Sequence, residues 1–408
     1  MSDAGTGALS AARRYEADIV RFLRDMIAIP SESLNEAKRC ERIREEYERL
    51  GFEEVFFDEL GNVIARVGTG PFKILMDGHI DCVGVGDPEA WDYDPYVGKE
   101  EEGRIYGRGA VDELPAVACM AYAATILKES GLPDEISLYL SATVMEEDCD
   151  GYCLLHLIEK EDLRPDVVIL GEPTDLNVYR GHRGRVELTV TTKGVSSHAA
   201  DPDRGVNALY KMAGIIGDIE SLNDRLPDDP FLGKGTVVVS SIECTTPSLN
   251  AVPDSARIYI DRRMTAGETV DGVLAELRAL PHIGDATVEV LQYDVTSWRG
   301  ARARQEKFYP TWVLSEDHPL VEGVSTAVNM VLDRSPQISR WSFSTNGVAS
   351  MGRHGIPTVG FAPGLEELAH TTGEWIEIED LVRATAVYSV IPGVLAERHS
   401  EIQAAVAG

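Results

Sequence analysis

Lysine is scarce in this chain, and basic residues of both kinds are outnumbered: 38 Lys and Arg face 68 Asp and Glu, for a formal net charge of −30. Such a field repels phosphate backbones, so nucleic acid is not an expected partner. The acid is spread along the chain rather than gathered in a tail. That is the pattern of a solvated surface; adaptation to high salt, or partial neutralisation by bound metal, fits it too. Cysteine is also sparse. Cys40, Cys82, Cys119, Cys149, Cys153 and Cys244 show no disulfide-framework spacing. Cys149 and Cys153 lack partners at ligand spacing and read as packing residues. No apolar run approaches the ~18 residues of a membrane span, and no signal-peptide pattern opens the chain, so a reduced, cytoplasmic protein is expected. Repeats and low-complexity linkers are missing as well. What remains is a globular composition, 44% hydrophobic and 26% charged over 408 residues, enough for two domains with large cores.

Patterning gives the fold class. Residues 12–50 read as helices interrupted near Pro30, which cannot continue a helix. Strands then alternate with helical stretches. Val63–Val67, Phe72–Met76, Ile136–Val144 and Val167–Leu170 are apolar runs, and Pro115 sits well in a first helical turn. This alternation predicts an α/β domain with a mixed, largely parallel sheet flanked by helices. From Arg183 the order becomes β-α-β-β-α-β, the ferredoxin-like split unit. The first pattern resumes with the apolar run Pro357–Phe361 and a last helix over 380–397. The expected organisation is a discontinuous first domain, 1–182 and 297–408, with an inserted second domain at 183–296.

Chemistry gathers at predicted strand ends, where α/β sheets bind ligands. His79 and Asp81 follow the run Ile74–Met76; their spacing suits a metal-bound imidazole whose second nitrogen donates to a carboxylate. Asp112, Glu146, Glu147, Glu172 and later His370 complete the set. Two imidazoles and several carboxylates suit zinc or a similar borderline ion. They exceed what one ion needs, which implies two metals sharing a bridge. Two divalent ions bring four positive charges; Asp112, Glu147, Glu172 and a bridging hydroxide cancel them. Adjacent Glu146 and Glu147 can point different ways, one toward metal and one free as a general base.

The segments Asp77-Gly78-His79-Ile80-Asp81, Gly107-Arg108-Gly109-Ala110-Val111-Asp112, Glu146-Glu147, Gly171-Glu172-Pro173-Thr174 and Ala369-His370 resemble, in order over nearly the whole chain, the co-catalytic di-zinc amidohydrolases. That family includes acetylornithine deacetylase, succinyl-diaminopimelate desuccinylase, aminoacylase and carboxypeptidase G. The resemblance implies that His79 and Glu172 hold one metal, Glu147 and His370 the other, and that Asp112 bridges. It implies Glu146 as general base and Asp81 as the residue that orients His79. It also implies that the discontinuous domain is catalytic and that the inserted one is a lid and dimerisation domain. The ions it implies are zinc, with cobalt or manganese as alternatives.

The chain is similar more closely to the selenium-metabolism-linked hydrolase branch. The segments that carry this are Arg21–Met26, Glu146–Gly151, Tyr179–Arg185, Phe231–Thr236 and Phe343–Val348. Many relatives outside the branch have Asp near the position of Asn346, and a Gly-rich run where this chain has Glu113-Leu114-Pro115-Ala116. In the insertion, Ser196-Ser197-His198-Ala199 resembles the family's lid segment, whose His reaches the partner subunit's active site to bind an oxyanion. Asn250 and Arg263 resemble the lid Asn and the Arg that grips a substrate carboxylate. The resemblance therefore implies a homodimer that hydrolyses the amide of an N-acyl amino acid or small peptide-like substrate. A dipeptidase or carboxypeptidase, an N-carbamoyl amino acid hydrolase, and a catalytically silent metal-binding protein are the alternatives. The other six histidines, His156, His182, His282, His318, His354 and His399, are not expected to bind metal.

Overall fold

The computed structural model describes residues 3–407. Its larger sheet has nine strands. Four neighbours at its centre run parallel, in the order Ile136–Thr143, Phe72–His79, Val167–Leu170 and Thr358–Gly360. These are short apolar segments buried on both faces, as a parallel sheet covered by helices requires. Antiparallel strands extend both sides: Glu54–Phe57 and Val63–Val67 on one, Val178–His182 and Trp312–Val313 on the other. The sheet is therefore mixed, as the alternation predicts.

Helix Leu114–Ser130 is apolar on every side and buried from Leu114 to Leu127. It packs between the sheet and helix Ile378–Glu397, which explains why its sequence lacks a polar face. Glu16–Ile27 packs against both helices. Among the described residues, no helix is long and apolar enough to cross a membrane.

Residues 184–290 build a second, antiparallel sheet. Its strand order is Thr236–Thr245, Ser255–Met264, Gly184–Lys193 and Thr287–Val290. Helices Ala208–Asn223 and Val270–Arg278 interleave with these strands along the chain. A separate core that includes Leu188, Met212, Ile215, Ile258 and Ile260 holds this part together. The chain order is β-α-β-β-α-β. The second sheet also recruits Phe308–Tyr309, which pairs with Val186 and Arg185. The sequence boundary at 297 falls in the turn of a hairpin, Gln292–Thr296 with Arg302–Glu306, and the larger sheet resumes only at Trp312–Val313. Short polar strands of this kind carry no apolar period for a sequence reading to detect.

Candidate metal centre and cleft

Parallel strands deliver the donors. His79 is the last residue of its strand and pairs in register with Thr143. Glu146 and Glu147 follow that second strand, and Glu172 follows Leu170 on the third. Asp112 precedes the buried helix, across a cis peptide to Glu113. His370 comes from the loop after Thr358–Gly360. Met145 and His370 both hold left-handed backbone conformations, φ 62° and 63°. For non-glycine residues such geometry persists only where surrounding contacts enforce it, and it clusters at functional sites.

The side chains converge. Asp112 lies between two imidazoles, 2.9 Å from His79 Nε2 through one oxygen and 2.9 Å from His370 Nε2 through the other. Glu147 is 3.2 Å from His370 Nε2. Glu146 and Glu172 each lie 3.9 Å from His79 Nε2. Donor atoms of His79, Asp112 and Glu147 lie within 4.8 Å of one another, as do those of His79, Glu113 and Glu172. Glu113, not singled out from sequence, accepts the His79 backbone N–H at 2.6 Å.

This arrangement is starved of positive charge. Burial raises the carboxyls of Glu146, Glu172 and Glu113 well above their usual range, and neighbouring carboxylates add to the effect. The Glu147 carboxyl is raised by burial and by Asp112. Burial would raise Asp112 too, but the charges and hydrogen bonds of His79 and His370 hold it low. His370, bonded to Asp112 and Glu147, is pushed up to about 10. A buried nest of carboxylates around two imidazoles is the donor set that borderline divalent cations take. The orphaned Glu113 Oε2 is a further sign that the cluster fits bound ions.

Asp81 works differently from its expected part. Its main-chain carbonyl, not its carboxylate, faces His79 Nδ1 at 2.9 Å; the carboxylate is 3.7 Å away. The carboxylate instead accepts the backbone N–H groups of Glu146 and Glu147, at 3.1 and 3.2 Å, and the Ser33 hydroxyl at 2.6 Å. Asp81 thus fixes both the imidazole and the paired glutamates. Beneath it, Asn346 donates to Asp77 at 2.8 Å and accepts from the Gly151 N–H at 3.0 Å. An Asp at 346 would set a second carboxylate against Asp77.

All five expected ligands and Glu146 line one cleft of about 810 Å³. Arg263 lines it too, with its fork already on Asp261 at 2.7 and 3.0 Å. Arg185 lines it as well, and sequence reasoning had given Arg185 no role. His198 and Asn250 are elsewhere. Both are exposed, and neither reaches the cleft. They lie beside each other, through a bridge from His198 to Ala251 and a 2.8 Å bond from the Ala199 N–H to the Asn250 carbonyl. None of the other six histidines lines the cleft.

Sheet topology, strand-end carboxylates and paired imidazoles together define a metallohydrolase, and residues 75–391 match the model of Peptidase family M20/M25/M40. The chain belongs to that metal-dependent family. Among its relatives, it is 47% identical over 386 residues to the uncharacterized protein YgeY of Escherichia coli K12, covering 94% of this chain and 96% of that one. It is 27% identical over 385 residues to a succinyl-diaminopimelate desuccinylase of Magnetococcus marinus, covering 91% and 96%. Its fold is similar to the crystal structure of aminopeptidase PepT from Bacillus cereus, with a TM-score of 0.71 at 22% identity, covering 93% and 99%.

Proposed function

We propose that this protein is a two-metal hydrolase of a linear amide bond in an N-acyl amino acid or small peptide-like substrate. One observation carries the reading: within a buried donor set, Glu146 keeps an oxygen, Oε1, with no hydrogen-bond partner. A purely structural metal site has no use for a free carboxylate there. His79 and Glu172 would hold one ion, Glu147 and His370 the other, and Asp112 would serve both. The nitrogen and oxygen donors favour zinc and admit cobalt or manganese. When bound, the ions polarise the scissile carbonyl and acidify water. Glu146 takes a proton at Oε1 and returns it to the departing amine. The raised proton affinity that burial gives its carboxyl suits that shuttle. Asp81 keeps Glu146 and Glu147 in place through their backbone N–H groups. Arg263 anchors the substrate carboxylate.

The second sheet serves as lid and dimer surface. His198 and Asn250, adjacent to each other and outside their own cleft, would complete the partner subunit's site. The edge strand Thr236–Thr245 exposes Val238 and Ile242, and helix Ala208–Asn223 exposes Tyr210. An isologous contact would cover this apolar edge. Six free cysteines support a reduced, cytoplasmic setting.

The test is amine release from a pool of N-acyl amino acids, dipeptides and N-carbamoyl amino acids, after metal removal and reloading with zinc, manganese or cobalt. Turnover of the N-acyl members is the expected result. Turnover of only the dipeptides or carbamoyl compounds would reassign the substrate. No amine release with any ion would favour a silent metal-binding protein.

A further inference from the structure

The second sheet contributes two guanidiniums to the cleft, and only one has a role so far. Arg185 and Arg263 are direct partners in the antiparallel register of their strands. Their side chains therefore share one face, and both line the cleft. Two residues further along the same face, Glu187 and Asp261 are partners in turn. The pattern is a row of two cations at the cleft, backed by a row of two anions. Like charges set directly opposite repel, so a pair of arginines here needs a reason.

The acids restrain the arginines without using up their donors. Asp150 accepts Arg185 Nη2 at 2.7 Å, and Glu187 lies 3.6 Å from it. The Arg185 guanidinium also stacks over the Tyr309 ring, 4.6 Å from its centre. Ser344 donates to the other oxygen of Asp150, which holds that carboxylate in position. Arg185 Nε is buried without a partner. Among the described residues, Nη1 of neither arginine makes a hydrogen bond. Each fork is thus fixed in place with donors unspent, beside a cleft large enough for a small ligand.

We propose that Arg185 is a second anion-binding residue, and that a carboxylate of the ligand is held between Arg185 and Arg263. The inference rests on reading this cleft as the substrate site. It narrows the ligand class to amides that present a carboxylate to the second sheet while their acyl carbonyl faces the metal ligands.

Calorimetric titration of the zinc-loaded protein with succinate and glutarate, against propionate, tests this without turnover. One carboxylate of any of these acids can go to the ions; only the dicarboxylates have another for the arginines. The wild-type protein should prefer the dicarboxylates at least tenfold. In Arg185→Gln/Asp150→Asn, which replaces the ion pair by a neutral one, the preference should fall below threefold with zinc content and melting temperature retained. No preference in the wild type, or the same preference in both proteins, overturns the proposal and leaves Arg185 as a brace for Asp150. If the double variant does not fold, Arg185→Lys keeps a charge for Asp150 but loses the fork. A preference undiminished there overturns the proposal equally. A wild type that shows the Arg185-dependent preference yet releases no amine from the substrate pool would sink the amide-hydrolase reading and leave the anion site standing.

Discussion

Glu374 accepts the backbone N–H of Asp112 at 3.1 Å, and the same oxygen takes the Val111 N–H at 2.8 Å. Its other oxygen takes the Gly109 N–H at 3.1 Å and Arg108 Nη1 at 2.8 Å. The side chain is fully buried. It stands four residues beyond His370, so one carboxylate ties the loop of one proposed ligand to the backbone of another. Burial lifts its carboxyl to about 7, against the pull of the N–H donors and Arg108.

Glu374→Gln should therefore loosen the metal centre without touching a metal. A carboxamide has one acceptor oxygen, and its NH₂ must face N–H groups that in the wild type donate to the carboxylate. Positioning contacts of this kind are worth about 10–100-fold in metal affinity. Equilibrium dialysis with zinc should show a loss of that size. Unchanged affinity would mean that Asp112 is placed by its loop alone.

Glu146→Gln should behave in the opposite way. The side chain is proposed to move a proton, not to bind an ion, so zinc content should stay at the wild-type level. Turnover should fall by roughly 10²–10⁴-fold or more, the usual weight of a positioned acid–base group. Metal analysis beside steady-state rates decides the matter, and parallel loss of zinc and activity would move Glu146 among the ligands.

His79, Glu146, Glu147 and Glu172 were legible because each lies at or just after the end of a buried parallel strand, and such strands announce themselves in sequence as apolar runs. The order of the second sheet was legible for the same reason: its strands and helices alternate in period. Glu374, Glu113 and Glu36 were not. Each acts by accepting backbone N–H groups from a distant or neighbouring segment, and that leaves no spacing signal. Arg185 escaped notice because cross-strand register, not local pattern, sets it opposite Arg263. The part played by Asp81 was half legible. Its proximity to His79 follows from spacing, but its carboxylate serves Glu146 and Glu147, residues of another strand end.

Complementation tests the dimer. His198→Ala and Glu146→Gln should each be nearly inactive as homodimers. In a mixed dimer, one cleft would combine an intact Glu146 with an intact His198 from its neighbour. Co-refolding equal amounts should form about half heterodimers by random pairing, each with one repaired cleft of two, so roughly a quarter of wild-type activity should return. Full activity in a monomeric wild-type protein, read by light scattering at assay concentration, would refute the trans arrangement.

Glu36 gives a stability prediction with a defined sign. The residue is fully buried. Its Oε1 accepts the N–H groups of Leu34 and Met145, at 2.9 and 3.1 Å, while Oε2 has no partner. Burial, helped by the charge of Asp81, raises its carboxyl from 4.5 to about 7. Between those values the folded protein holds a proton that the unfolded chain has released, so this group makes folding less favourable as pH rises through the window. Above it, the penalty is on the order of 3 kcal/mol. Gln at position 36 keeps the acceptor for Leu34 and Met145 and carries no charge. Metal-free Glu36→Gln should therefore be more stable than the wild type at pH 8, and that advantage should shrink to near zero by about pH 4.5. Urea unfolding of both proteins at the two pH values measures it. An advantage of equal size at both would show that the buried carboxyl does not titrate in this range, and would leave packing at Met145 as the source of the gain.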